Sequence, residues 1–523
     1  MRAAGLSPTV LRTGVLVHGA TAAGVCAAVA AAEQGAEVVL LEPGRHVGGM
    51  TSGGLGYTDL GDPRVLGGFA ARFRRAVADA YGVAPGRWAG PEPHVAEGIL
   101  ADWLERAGVT VLLGERLLGV DLVDGGIAAV RTSGGLEVRA GVHVDASYEG
   151  DLLAAAGVPA AVGRESRATW GETFAGRQEA VPGLHAMPPW VSPFVDDPDG
   201  RVPGPLLPQV KPEPFVPVGE GDGGVMAYGY RACLSRAPDR LPFSRPEDYD
   251  EAYWELGRRL FSLWAREGRA VRADRLLGLE PNLPNGACDA NSIGPFSLNV
   301  LDGSAWAYPL ADEAERERLR EHHRRHTRGL LHFLSDDPAV PADVRATLAG
   351  WGWPAREFAD TGGLPHQLYV REARRMVGQV VLTEHDLRRP RSRPDTVALG
   401  SYHLDVREVQ RGWRWVHEHP DPVAMVVTEG YLSVRVPTYE IPYRALLPRE
   451  QDCRNLLVPV CLSASQVAFS SIRMEVQYQM LGQAAGVAAA LALDVGAAVH
   501  HVDTDVLRLR LRAGGAVLDR PAG

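Results

Sequence analysis

The chain has 523 residues, 46% hydrophobic and 23% charged, with 54 Lys and Arg against 64 Asp and Glu for a formal charge of −10. That length supports a large core in two or more domains, and the mild acidity argues against a nucleic-acid partner, which is bound through clustered Lys and Arg. Five scattered cysteines (Cys26, Cys233, Cys288, Cys453, Cys461) with no CxxC pair point to neither a disulfide framework nor a zinc or iron–sulfur centre.

The opening "MRAAGLSPTVLRTGVLVHGA" is basic with some apolar residues, but its apolar run Gly14–Val17 is too short for a secretory signal. Next, "TGVLVHG" reads as a buried strand, "AAGVCAAVAAAEQG" as a helix ending at Gly35, and "AEVVLLE" as a second strand ending at Glu42. Together they make one βαβ unit. The Ala22–Ala32 stretch is too short to cross a bilayer, so no membrane span is expected and the cytoplasm is the expected location. "PHVAEGILADWLERAG" is a helix, and the strands after it, divided by Gly and Asp-Gly-Gly turns, form a β-meander. From about Val158 to Tyr431 the chain is rich in Pro, Trp and Tyr, with one strongly charged helix near Asp312–Leu334 that reads as exposed. The first texture returns at "NLLVPV", a strand, and "MEVQYQMLGQAAGVAAALAL", a helix packed through small residues. The expected fold is α/β: a discontinuous, three-layer, Rossmann-like domain over residues 1–157 and 436–523, with an inserted α+β substrate domain over 158–435.

The first turn carries the chemistry. Gly19, Thr21 and Gly24 occupy the G-x-G-x-x-G spacing, with threonine in place of the middle glycine. The loop follows a strand and opens a helix, so backbone N–H groups and the helix dipole face a pyrophosphate. The Thr21 hydroxyl is placed to bond a phosphate oxygen, Gly24 allows close packing, and Glu42 ends the second strand where a carboxylate accepts from ribose hydroxyls. The glycine doublet Gly48–Gly49, then Met50 and Thr51, forms a loop able to run beneath a longer ligand.

These features, with "LLEPGRHVGGMTSGGLGYTDLG", "EPHVAE", "VDASYEGDLLAAAGV", "LPNGACDANSIGPFS", "GGLPHQLYVREARRM", "GSYHLDVREVQR", "YEIPYRALLP" and "NLLVPVCLSASQVAFSSIRMEVQYQMLGQAAG", resemble the FAD-dependent oxidoreductase family, which is distantly similar to fumarate reductase and succinate dehydrogenase flavoproteins. The resemblance spans nearly the whole chain and implies FAD as cofactor, with threonine usual at the second glycine. The implied FAD contacts are Gly19, Thr21, Ala23, Gly24, Glu42, Pro43, Arg45, Gly49, Met50, Thr51, Leu118, Ala146, Asp151, Ser471 and Ile472. The helix opening near Arg473, with free N–H groups from Ile472 onward, would face the flavin edge that becomes anionic on reduction. Non-covalent attachment is expected: His46 precedes the glycine doublet, and Met50 stands about where covalent relatives place their linking histidine. Two positions depart from the family pattern: Gln466 stands for an expected histidine and Gly229 for an expected asparagine, both in the expected substrate pocket.

Flavin oxidation of a C–H bond calls for a proton acceptor and substrate anchors. His366 leads as base or anchor, Tyr402 and His403 form a second pair, Arg371 and Arg374 can clamp a carboxylate or polyol, and Arg473 can act at the flavin or pair with Glu475. Tyr228, Tyr230, Arg231, Asn291 and Ser292 add hydrogen-bonding groups. His322 and His326 share a helix face, but without a neighbouring Glu motif no metal is expected. The expected function is dehydrogenation of a sugar-like, polyol or hydroxylated small molecule, with oxygen, a quinone or a carrier as acceptor and homo-oligomerisation left open. A flavin monooxygenase, for which no clear G-x-D-G segment exists, and a protein holding FAD as a structural ligand are the alternatives.

Overall fold

The computed structural model describes residues 9–84, 90–183, 185–417 and 421–521; the first eight residues of the N-terminal segment lie outside the described residues. Strand β1 (Thr9–His18) leads through the glycine turn into helix α1 (Ala22–Glu33), and β2 (Val38–Glu42) returns parallel to β1, with His18 opposite Leu41. The paired apolar runs Val15–Val17 and Val38–Leu41 are buried on both faces, as parallel strands require. Helix α2 (Gly68–Ala80) and helix α3 (Pro93–Arg106), which starts on a proline, precede β3 (Thr110–Leu113), parallel to β2. The meander follows as β4 (Leu117–Val123), β5 (Gly126–Thr132) and β6 (Leu136–Asp145). Its first turn uses Asp124 and Gly125 at φ 49° and 71°, the left-handed pair that a tight hairpin needs.

The sheet order is β3-β2-β1-β6-β5-β4. One edge of β6 pairs along its length with β1; the other pairs with β5 near its start, then with a late arrival near its end. After the long charged helix α4 (Glu313–Asp336), strand β7 (Leu456–Leu457) runs parallel to His143–Val144, followed by α5 (Gln466–Ile472) and α6 (Glu475–Val495). Helix α6 lies against α1 so closely that a Cβ on Gly482 would strike the Ala23 carbonyl, and one on Gly486 the Ala27 carbonyl. Both helices are buried nearly all round, which explains their alanine-rich, weakly amphipathic sequences. The chain is thus α/β with a Rossmann-like core, and small two-stranded sheets fill the region between β6 and β7.

Helix α4 differs from its expected exposed placement. Arg316, Leu319, His323, His326 and Thr327 lie buried along one side, while only the opposite side is a solvated charge ladder. His322 pairs with Asp302 at 2.7 Å and His326 bonds the Tyr253 hydroxyl and the Ser297 carbonyl, each at 3.0 Å, so both imidazoles are engaged within the protein. Among the described residues no group of three or more His, Cys, Asp and Glu is arranged to hold a metal, and no helix is long and apolar enough to cross a membrane.

Candidate functional site

A cleft of about 510 Å³ opens where β1, β2 and β6 end, the carboxyl edge at which α/β sheets bind ligands. Gly19, Thr21, Glu42, Pro43, Leu118 and Asp151 line it, as do residues that sequence reasoning did not select: His18, Arg116, Ser147, Tyr148 and the α4 arginines Arg316, Arg320 and Arg324. Gly19 has φ 91°, and a Cβ there would lie 2.8 Å from the Ser147 nitrogen. Glu42 accepts from Ala20 N–H and Gly44 N–H, both at 2.7 Å. Each oxygen has a further lone pair.

Thr21 works differently from its expected role. Its hydroxyl donates to the Ala146 carbonyl at 2.7 Å and accepts from Gly24 N–H at 3.2 Å, so its one proton ties β6 to the turn and its oxygen caps α1. The residue shapes the cradle rather than donating to a phosphate. Asp151 is also engaged: Arg316 grips it through two bonds of 2.6 and 2.8 Å, and Arg374 adds a third at 3.1 Å. These ion pairs hold α4 against the cleft.

The loop Gly48–Thr51 passes behind this wall. Met50 N–H donates to the Tyr148 hydroxyl at 2.8 Å, Tyr148 donates to Glu475 at 2.7 Å, and Thr51 donates to the same carboxyl at 2.9 Å. Burial pushes Glu475 up to about 7, against the lowering effect of its two hydroxyl donors. The unfolded carboxyl titrates near 4.5, so this group's stabilising contribution is full below that value and is lost as pH rises through about 7. Glutamine mimics the protonated acid. In Glu475→Gln, stability should match wild type near pH 4.5 and exceed it by about 3 kcal/mol at pH 8, measured by denaturant titration. Equal pH profiles for the two proteins would refute the assignment.

At the other end of the cleft His366 presents a ring whose two nitrogens are buried and unbonded. It stacks on His46 at 4.1 Å between centroids and 12° between planes. His46 is clamped by Glu97 at 3.0 Å and Asp360 at 2.9 Å. Burial opposes the His46 charge, but the two carboxylates outweigh it and raise the pKa. Burial, then the charge of His46, pulls His366 down to about 3, so His366 is neutral at ordinary pH. It is a poor base and a good hydrogen-bonding group.

From His366 the segment Gly53–Asp62 leads to a second polar cluster: a Cβ on Gly53 would touch the His366 ring, and Asp62 N–H donates to Ser401. Here Tyr402 and His403 lie with ring centroids 4.1 Å apart, and His403 Nε2 is 3.8 Å from Asp405. Arg473 donates to the Asp405 carboxylate and carbonyl, both at 2.9 Å, and to the Tyr369 hydroxyl at 3.2 Å. Its partner is Asp405, not Glu475. Burial alone would raise Asp405, but His403, Arg473 and Arg407 hold it well below the usual carboxylate range. Arg371 is buried beside this group, donates to the Ala227 carbonyl and covers the Tyr369 ring at 4.3 Å. Burial and the charges of Arg407 and Arg473 lower its pKa.

Several other expectations are corrected. Arg473 N–H bonds Phe469 O and Met474 N–H bonds Ile472 O, so α6 opens at Glu475, and the Ile472 N–H belongs to the preceding short helix. Ser471 donates to the Tyr402 carbonyl at 2.5 Å, supporting the second cluster from behind. Ala23, Gly24, Ala146, Gly49, Met50 and Thr51 are buried behind the cleft wall, and Arg45 is exposed. Gln466 bonds buried Glu372 at 3.1 Å. Gly229 packs on the Leu298 carbonyl, leaving no room for the expected asparagine. Tyr228 is spent on the Glu372 carbonyl and Arg231 on Asp289, so neither is free for substrate.

The cleft suits a dinucleotide. It joins a Cβ-free turn, a carboxylate with spare lone pairs, an arginine-lined wall and an unbonded imidazole.

Comparison with solved structures finds an L-proline dehydrogenase from P. horikoshii at 17% identity, covering 30% of this chain and 59% of that one, with a TM-score of 0.25. It also finds a geranylgeranyl bacteriochlorophyll reductase-like protein from Thermoplasma acidophilum at 18% identity, covering 28% and 43%, with a TM-score of 0.20. A flavocytochrome c3 fumarate reductase matches at 16% identity, covering 26% and 33%, with a TM-score of 0.20. The chain spans less than two thirds of each of these proteins. No curated protein matches. The FAD dependent oxidoreductase family model matches residues 14–511, almost the entire sequence. The chain therefore belongs to the FAD dependent oxidoreductase family, whose cofactor is FAD.

Proposed function

We propose that this enzyme dehydrogenates a polar small molecule, sugar-like, polyol or otherwise hydroxylated, and passes the electrons to oxygen, a quinone or a carrier. In this reading residues 1–157 and 436–523 hold FAD and 158–435 face the substrate. FAD, when bound, supplies a two-electron acceptor for the substrate C–H bond. Gly19, Glu42 and the arginine wall hold the dinucleotide without a covalent link. His366 anchors a substrate hydroxyl, and His403, backed by Asp405, takes the hydroxyl proton. Arg473 fixes Asp405 and places positive charge near the flavin. A cytoplasmic location, where five unpaired buried thiols remain reduced, belongs to the same reading.

The observation that carries it is the neutral imidazole of His366, buried with both nitrogens free, at the end of a cofactor-sized cleft. A buried polar ring without partners is costly unless a ligand satisfies it. The test is anaerobic bleaching of the flavin across sugars, polyols, hydroxy acids and amines. His366→Ala should slow bleaching about 10–100-fold, the cost of 1.4–2.8 kcal/mol of lost anchoring, with FAD content unchanged. Unchanged bleaching removes His366 from the site. Acid precipitation should release all the flavin, and oxygen uptake driven by NAD(P)H would instead favour a monooxygenase.

A further inference from the structure

Beneath Tyr402 and His403 the formal charges do not balance. Arg371, Arg407 and Arg473 share this buried space with two carboxylates, Asp405 and Glu408; a third, Asp59, bonds the Tyr402 hydroxyl from the exposed side, so the buried charges leave one positive. Arg473 is matched to Asp405 at 2.9 Å. Arg407 donates to the Ser292 carbonyl at 2.9 Å and lies 3.5 Å from Glu408. Glu408 also accepts from Asn299 at 2.9 Å and faces His185 at 2.7 Å. Arg371 remains. It is 5% exposed, and among the described residues no carboxylate pairs with it.

A buried cation needs a counter-charge, and a ligand can provide it. Arg411 is 2% exposed and also lacks a paired carboxylate, yet Gln209 and the Pro295 carbonyl take its protons, and its charged neighbours include Asp302 and Glu408. Arg371 has one carbonyl acceptor; its charged neighbours are two guanidiniums and a single carboxylate, Glu408, which Arg407, Asn299 and His185 already share, so most of its protons are left for a ligand. Around it Tyr369, Tyr402, His403, Arg407 and Tyr431 are each partly exposed to solvent.

We propose that the substrate is a small hydroxylated carboxylic acid whose carboxylate completes this cluster on Arg371, with Arg407 at its outer edge. This rests on the reading of Tyr402 and His403 as substrate-facing. A planar guanidinium forks onto a carboxylate with two charge-assisted hydrogen bonds, an interaction that a neutral polyol cannot reproduce. The carboxylate would then fix the substrate while its hydroxyl-bearing carbon is presented to His403.

The test uses the flavin-loaded protein and two matched pairs of probes, lactate with propane-1,2-diol and gluconate with sorbitol. Binding is read from the flavin absorption shift and, independently, from the rise in unfolding temperature. At least one acid should bind saturably with a Kd tenfold or more below that of its neutral partner. Arg371→Gln should raise that Kd at least tenfold and leave the neutral partner unchanged. Without ligand this variant should be no less stable than wild type, because it removes an unbalanced charge; a purely structural arginine would destabilise when replaced. Arg407→Gln, at the partly buried outer edge of the cluster, should weaken the acid about threefold and serves if Arg371→Gln does not fold. Equal affinities within both pairs, or acid binding unmoved by the variants, would overturn the proposal. FAD extracted from the same sample separates the two claims: no flavin defeats the flavoenzyme reading, while bound flavin without acid preference defeats only this inference.

Discussion

Gly24→Val should yield a protein purified largely without flavin. A Cβ at residue 24 would collide with the Gly19 carbonyl and come within 3.2 Å of the Ala146 side chain. Neither can yield easily, since Gly19 is packed against Ser147 and Ala146 accepts the Thr21 proton. One inserted methyl group in such a contact costs about 1–3 kcal/mol, and valine adds two more carbons. The strain falls on the turn proposed to hold the pyrophosphate, so FAD affinity should drop about a hundredfold or more. Gly24→Ala should be intermediate. Flavin-to-protein ratio after reconstitution and extraction gives the answer, with circular dichroism checking the fold. A full flavin complement in a folded Gly24→Val protein would mean that the turn is not the cofactor cradle.

Replacing Arg473 by methionine should be costly in two separable ways. Arg473 is 5% exposed and its partner Asp405 is 8% exposed, so the substitution strands a buried carboxylate. Breaking a buried pair typically costs about 3–5 kcal/mol. Because His403 and Arg407 still face Asp405, about 3 kcal/mol is expected, and Arg473→Met with Asp405→Asn should recover much of it. The second effect concerns the bound flavin. Loss of a nearby positive charge should lower the two-electron midpoint potential by about 30 mV or more, equivalent to about 1.4 kcal/mol. Wild-type potential together with wild-type turnover would leave Arg473 as a structural partner of Asp405 alone.

The parts of the molecule that can be read from sequence are those whose causes are local. β1, α1 and β2 follow from apolar runs, a cap and glycine punctuation within 25 consecutive residues, 18–42, and neighbouring positions. The charge pattern of α4 was misleading because its buried face is polar. Arg316 is buried against Asp151, whose sequence position is 165 residues away, and no periodicity reports that partner. The same holds for Arg473 and Asp405, 68 residues apart. Thr21 was legible as a loop residue, but the destination of its proton, the Ala146 carbonyl, is 125 residues distant. His366 stood out by its flanking glycines and proline, yet its neutrality arises from burial and from His46, 320 residues upstream, which only the fold reveals.

The close contact of α1 with α6 has a consequence for how the protein is made. The first βαβ unit emerges early from the ribosome, but Gly482 and Gly486, which cover the backbone of Ala23 and Ala27, come more than 450 residues later. Until then α1 exposes an alanine face that is buried in the finished protein. The opening βαβ unit must therefore wait for α6, and contacts of such sequence separation form slowly. Chains interrupted before residue 482 would leave that surface uncovered, so synthesis should depend on chaperone protection and folding should be completed only after translation has finished.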